Sequence, residues 1–151
     1  MRIASAQRRA GVAFAVAAVA LLAAAAPASA DTGGKIQPGT PAVTAGPASA
    51  ADSVLCVSTS GKATFVWQSD GNLVDYDETG VARWASNTAG RGASYVPLQT
   101  DGNSVIYDAA GNPIWTSDTA GHPNDYLICQ DDGNVVITDG STPLWATMTQ
   151  H

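Results

Sequence analysis

The sequence predicts an all-β domain assembled from three antiparallel units. A nine-residue pattern recurs every 31 residues, starting at Gln68, Gln99 and Gln130, and a fixed period of this kind marks copies of one supersecondary unit. A tryptophan follows each copy, at Trp84, Trp115 and Trp145. Beyond the first 30 residues no stretch keeps helical apolar periodicity over the length of a helix.

The elements follow in order. Residues 1–30 read as a secretory signal peptide, with a basic head of Arg2, Arg8 and Arg9, an apolar run from Gly11 to Ala26, and small residues at Ala28 and Ala30. Cleavage is expected after Ala30, giving a secreted, extracellular chain. The apolar run is short for a bilayer span and no second one follows, so membrane insertion is not expected. The Arg8–Arg9 pair leaves twin-arginine export open beside the general secretory route. Residues 31–52, rich in Pro, Ala and Gly, read as a disordered linker or propeptide. Residues 53–151 form the folded domain, which has room for one modest core.

Each unit opens with a short strand rich in β-branched and aromatic residues, at 64–67, 96–98 and 126–129. Asp-Gly-Asn then signals a tight turn, where Gly71, Gly102 and Gly133 can take positive φ. A second strand follows at 73–76, 104–107 and 135–138. Another turn, at Gly80, at Gly111 to Pro113 and at Gly140, leads to a third strand that carries the tryptophan. Three tryptophans at matching positions suit a shared central core better than ligand platforms.

Charge narrows the partners. With three of the 7 basic residues in the signal segment, 4 remain against 13 acidic ones, a net charge of −9. Such a chain repels nucleic acid and anionic headgroups, and neutral ligands such as sugars are the natural remainder. Cys56 and Cys129 are the only cysteines; an oxidising compartment favours a bridge between them over two buried thiols. With no Cys-x-x-Cys and only His122 and His151, neither a metal site nor a cofactor is expected. The acidic run around Asp131 and Asp132 lacks the ligand alternation of a calcium loop. No Ser/His/Asp set, Cys/His set or recurring carboxylate pair is present to make an enzyme.

The recurring residues are polar as well as structural. Side chains two apart on a strand share a face, so Val74 and Tyr76 lie together, Gln68 can reach them across the hairpin, and Asp70 and Asn72 flank the turn beside them. Leu73 points the other way, into the core. One hairpin then presents amides, a carboxylate, a phenol and an apolar patch, which is the mixture that vicinal hydroxyls and a sugar's C–H face require.

The pattern Q-x-D-x-N-x-V-x-Y, given three times with a tryptophan and, in two copies, Thr-Ala-Gly after it, resembles the bulb-type mannose-binding lectins of the snowdrop-agglutinin family. The resemblance implies a β-prism II fold, three small sheets around a pseudo-threefold axis with the tryptophans at the centre and one mannose pocket on each sheet. It implies that Asp and Asn bind the axial 2-hydroxyl, Gln the 3-hydroxyl and Tyr the 4-hydroxyl, with Val under the ring. Carried over, the pockets are Gln68, Asp70, Asn72, Val74 and Tyr76; Gln99, Asp101, Asn103, Val105 and Tyr107; and Gln130, Asp132, Asn134 and Val136, with Thr138 in place of the tyrosine. The third pocket is therefore expected to be weak, on a turn one residue shorter than the others. The short segment before the first motif leaves the first unit a strand short by this comparison, and the wide Cys56–Cys129 spacing departs from the short bridge of the plant members. The implied function is non-catalytic binding of mannose-containing glycans; a lectin-like antibacterial protein that recognises a bacterial surface polysaccharide is the alternative. Members of the family often dimerise by exchanging the C-terminal strand; the tail 146–150 could serve as such a strand in a homodimer, and its composition leaves the oligomeric state open.

Overall fold

The computed structural model describes residues 35–40, 43–44 and 51–151; the signal-peptide reading of residues 1–30 lies outside them. Among the described residues every regular element is a strand. Sheet 1 is β3 (Ser53–Val57), β4 (Thr64–Trp67), β5 (Leu73–Tyr76) and β6 (Ala82–Ala85), in that order. Sheet 2 is β2 (Val43–Thr44), β7 (Ala93–Val96), β8 (Val105–Asp108) and β9 (Pro113–Thr116). Sheet 3 is β1 (Lys35–Ile36), β10 (Tyr126–Cys129), β11 (Val135–Thr138) and β12 (Pro143–Ala146). All pairings are antiparallel. This is the expected all-β, three-sheet architecture.

Two expectations are corrected. The first unit is not a strand short, because β3 supplies its outer edge. The segment read as a linker supplies the outer strands of the other two sheets: Lys35 and Ile36 pair with Ile128 and Leu127, and Val43 and Thr44 with Val96 and Tyr95. Backbone hydrogen bonds to an open sheet edge hold these two-residue strands, and such bonds need no particular side chains. Strand β7 also starts earlier than expected and ends before Pro97, which has no amide hydrogen to donate to a ladder.

The strand after the turn glycine alternates as its register requires. Leu73, Ile106, Val135 and Ile137 enter the core with Phe65, Trp67, Val96 and Leu127. The indoles of Trp84, Trp115 and Trp145 pack against this core and meet edge to face, with centroids 5.8, 5.2 and 5.6 Å apart, a geometry that suits the aromatic quadrupole. Cys56 and Cys129 form a disulfide across the first and third units, with Cα atoms 6.0 Å apart; on the chain-entropy model a loop this long is worth roughly 4 kcal/mol.

The turn glycines act by close approach as well as by φ. Gly71, Gly102 and Gly133 have φ of +83°, +89° and +91°. A Cβ on Gly102 would lie 2.3 Å from the carbonyl oxygen of His122, whereas one on Gly80, at φ +80°, would meet nothing within 4 Å among the described residues. We expect Gly80→Ala to cost about 1 kcal/mol of backbone strain and Gly102→Ala to cost several times more, because the added carbon displaces backbone of the next unit. Urea unfolding of the two variants side by side measures the difference.

Two carboxyls are buried against this trend. Asp75 sits opposite Trp84, where the other sheets place Ile106 and Ile137 opposite Trp115 and Trp145. Asp125 is 0% exposed and, among the described residues, neither of its oxygens has a partner. Loss of hydration raises both to about 6; the Thr149 and Thr147 hydroxyls partly oppose this at Asp75, and the charge of His122 does so at Asp125. A raised carboxyl favours folding while protonated, so its contribution is complete below the ordinary value of 3.8 and is lost as pH rises through about 6. Stability should fall over that window by on the order of 3 kcal/mol per group. Asp125→Asn should flatten the fall, as read by denaturant unfolding across the pH series.

Candidate functional site

The turn between the first two strands of each unit is closed by backbone bonds that recur without change. The amide of Gln68 donates to Asn72 O (2.8 Å) and that of Gly71 to Gln68 O (3.0 Å); Gln99 with Asn103 and Gln130 with Asn134 repeat the first bond at 2.8 Å. Within the turn the aspartate caps the asparagine. Oδ1 of Asp70, Asp101 and Asp132 accepts from the amide of Asn72, Asn103 and Asn134 at 2.9, 2.9 and 3.1 Å. This leaves Oδ2 of each aspartate at an exposed turn, able to accept from a ligand.

At the other end of each motif a bulge re-aims the last residue. The register shifts between Asp75 and Tyr76, between Ile106 and Tyr107, and between Ile137 and Thr138, and a bulge of this kind redirects a side chain. Tyr76 and Tyr107 thereby meet the motif glutamine: Gln68 Nε2 donates to Tyr76 Oη and Gln99 Nε2 to Tyr107 Oη, both at 2.8 Å. Each tyrosine keeps its own hydroxyl hydrogen and each glutamine keeps its carbonyl oxygen for a ligand. Burial raises the Tyr76 hydroxyl above its ordinary value, with the charges of Asp52 and Asp70 adding to the effect, so it stays protonated at neutral pH. Val74 and Val105 lie between the two polar ends and are largely buried.

In the first two units the structure therefore brings all five motif residues to one patch. The third unit differs. Gln130, Asp132, Asn134 and Val136 hold the equivalent places, but the hydroxyl of Thr138 donates to Thr142 O at 2.9 Å and accepts from the Gly140 amide at 3.0 Å. It is consumed by its own turn. The missing residue is absorbed there too, since residues 139–142 do the work of 77–81 while the pairing of Ile137 with Trp145 matches that of Asp75 with Trp84.

A further set of side chains holds the site together, of which the sequence pattern marks only Thr88 and Thr119, as the threonines of the two Thr-Ala-Gly segments. The loop after each tryptophan carries a hydroxyl pair, Ser86 and Thr88, Ser117 and Thr119, Thr147 and Thr149, around a residue at φ 58°: Asn87, Asp118 or Met148. Oδ1 of Asn72 accepts from Ser86 Oγ (3.0 Å) and the Thr88 amide (3.2 Å). Oδ1 of Asn103 accepts from Thr116 Oγ1, Ser117 Oγ and the Thr119 amide, and that of Asn134 from Thr147 Oγ1 and the Thr149 amide. The amide group of each asparagine is thus fixed in rotation, with Nδ2 left as a donor. The recurrence of hydroxyl residues two apart after every tryptophan was the sequence signal.

No family profile and no curated protein matches the chain. Solved structures do. A monomeric monocot mannose-binding lectin from Gastrodia elata is 34% identical, with 78% of this chain and 99% of that chain covered at a TM-score of 0.61. A Marasmius oreades lectin is 31% identical over 78% of this chain and 92% of that one, also at 0.61. The mannose-specific agglutinin from snowdrop (Galanthus nivalis) bulbs, complexed with methyl-α-D-mannoside, is 34% identical over 78% and 98%, at 0.54.

The hydroxyl pair makes a testable contribution. Thr119 is buried and its hydroxyl donates to Gly102 O at 2.7 Å. We expect Thr119→Val to leave that carbonyl unpaired and to cost about 1–3 kcal/mol of stability. Denaturant unfolding reads this cost.

Proposed function

The chain belongs to the bulb-type mannose-binding lectin family, and we propose that it is a secreted lectin for mannose or mannose-like glycans that binds through the first two motif pockets. The protein is a non-catalytic carbohydrate-binding protein. The observation that carries the mannose reading is the complementary pair of open groups at each turn. Asp70 Oδ2 can accept the hydrogen of a sugar hydroxyl while Asn72 Nδ2 donates to the same oxygen, so one hydroxyl is satisfied in both roles. Asp101 and Asn103 repeat this.

The Gln–Tyr pair supplies the next contact. Its internal hydrogen bond holds both groups in place before a ligand arrives, which lowers the ordering cost of binding. Val74 and Val105 lie buried behind these polar groups and leave only a sliver of apolar surface at the floor of each patch. Pockets this open bind single sugars weakly, and useful strength comes from engaging two of them on one branched or dense glycan. Export is supported by the N-terminal segment, with its basic head, apolar run and small-residue cut, and agrees with the Cys56–Cys129 bridge.

Calorimetric titration with mannotriose should show two sites. Asp70→Ala together with Asp101→Ala should weaken binding by about 10–100-fold, as expected for loss of a hydrogen bond to a charged group. Unchanged affinity in that double variant would remove the assigned pockets.

A further inference from the structure

We infer that the third pocket is retuned for an acidic sugar, with Lys35 as the residue that reads its carboxylate; this rests on the lectin reading above and concerns the one motif that reading leaves idle. The hollow at this motif is open, measures ≈ 470 Å³ and is lined by Lys35, Thr59, Ile128, Gln130 and Asp132, among others, a volume within the range of about 300–1,000 Å³ typical of ligand sites. It is built from several segments. The loop carrying Thr59 is clamped to the motif turn by Ser60, whose amide donates to Asp131 Oδ1 (2.7 Å) and whose hydroxyl donates to Asp131 O (3.0 Å).

The polar groups here differ from those of the other pockets in three ways. Among the described residues the Gln130 amide group has no partner, because the tyrosine that occupies Gln68 and Gln99 is absent. An aromatic ring is present, but on the neighbouring strand: Tyr126 stands opposite Thr138, where sheet 1 places Thr64 opposite Tyr76. A cation has been added. Lys35 stands opposite Ile128, in the row that continues to Val136 and Ala146, while the same row of sheet 1 runs Val54, Val66, Val74 and Ala85. A valine in one sheet is a lysine in the other.

The ammonium of Lys35 lies 4.6 Å from the centroid of the Tyr126 ring, which holds it by cation–π attraction without neutralising it. Among the described residues it makes no ion pair. The other cations outside the signal segment are placed differently: Arg83 pairs with Asp77 at 2.6 Å, Lys62 donates to His151 O at 3.0 Å, and Arg91 is exposed in the loop that follows Thr88. Gln130 and Asp132 line the hollow together with Lys35 and remain to read hydroxyls, and Asn134 follows Asp132 at the edge of the same turn. The carboxylates of Asp131 and Asp132 disfavour an anion that has no hydroxyls to offer. The ligand class that uses every group is a manno-configured uronic acid, a mannose ring whose C6 is a carboxylate.

Titration of the full chain with a mannuronate trisaccharide and, separately, with mannotriose tests this. Wild-type protein should bind the acidic trisaccharide at a single site, more weakly as ionic strength rises. Lys35→Met should weaken that binding by at least about tenfold, Lys35→Arg should keep it, and both should bind mannotriose as wild type does, which also reports correct folding. Undiminished binding of the acidic trisaccharide by Lys35→Met overturns the assignment. Wild-type protein that takes mannotriose but not the acidic trisaccharide overturns it as well, and leaves the neutral pockets standing. Wild-type protein that takes neither removes the lectin reading and this inference with it.

Discussion

The motif asparagine is the constraint from which both fold and site follow. Its backbone closes the turn, its Oδ1 gathers the loop that comes after the tryptophan, and its Nδ2 faces outward. Without a buried acceptor at that place the loop's amide and hydroxyl hydrogens would be left unpaired, which is costly in an interior. The same side chain therefore fixes where the third strand of each sheet ends and how the ligand-facing group is aimed. This dual use explains why Asn134 and Asp132 persist in a unit that has exchanged its tyrosine for Thr138. The turn needs them whether or not mannose is bound.

Three units must also close into a ring, and a linear chain closes it by means the first two junctions do not need. Gly71 faces Ala93 of the second unit, and Gly102 faces the His122 backbone ahead of the third. At Gly133 the place is taken by His151: its amide donates to Asp132 O at 2.8 Å, as Gly121 does to Asp101 O at 2.9 Å, and its ring lies over Gly133. Around it the junction is reinforced. His151 Nε2 lies 3.0 Å from Glu78, Thr149 Oγ1 lies 2.8 Å from Asp75, and the disulfide joins the same two units. The Thr149 carbonyl and Glu78 both raise the imidazole above its ordinary value, so the closing contact is strongest where the ring is charged.

Much of this was legible because the chain repeats itself. Period, turn glycines, strand alternation and the central tryptophans all rest on local chemistry that recurs in the text. Strands β1 and β2 were not legible, since a two-residue edge strand is specified by the edge it meets and the 31–52 composition reads as unstructured. Asp75 was placed correctly on a strand, yet its side chain faces the tryptophan layer, where period alone calls for an apolar residue such as Ile106 or Ile137. What makes it tolerable is the pair of hydroxyls from the far end of the chain, and that contact has no signature in local sequence. The third pocket was legible only as a loss at Thr138, because Tyr126 and Lys35 come to it from other strands.

The three motif faces differ at a specific subset of positions. Opposed pairs at the outer end read Thr64 and Tyr76, Tyr95 and Tyr107, Tyr126 and Thr138. The aromatic ring has moved from one strand to its neighbour between the first and third sheets, and the second holds both, stacked with centroids 5.1 Å apart. None of these side chains contributes to the asparagine-centred network or to the tryptophan layer. They can change without disturbing the turn or the core, and so can the outer-strand residue that is Val54 in one sheet and Lys35 in another. A fold that concentrates its own requirements in the inner half of each motif leaves the outer half free to be set one sheet at a time. Three motif faces of unequal chemistry on one frame are the consequence.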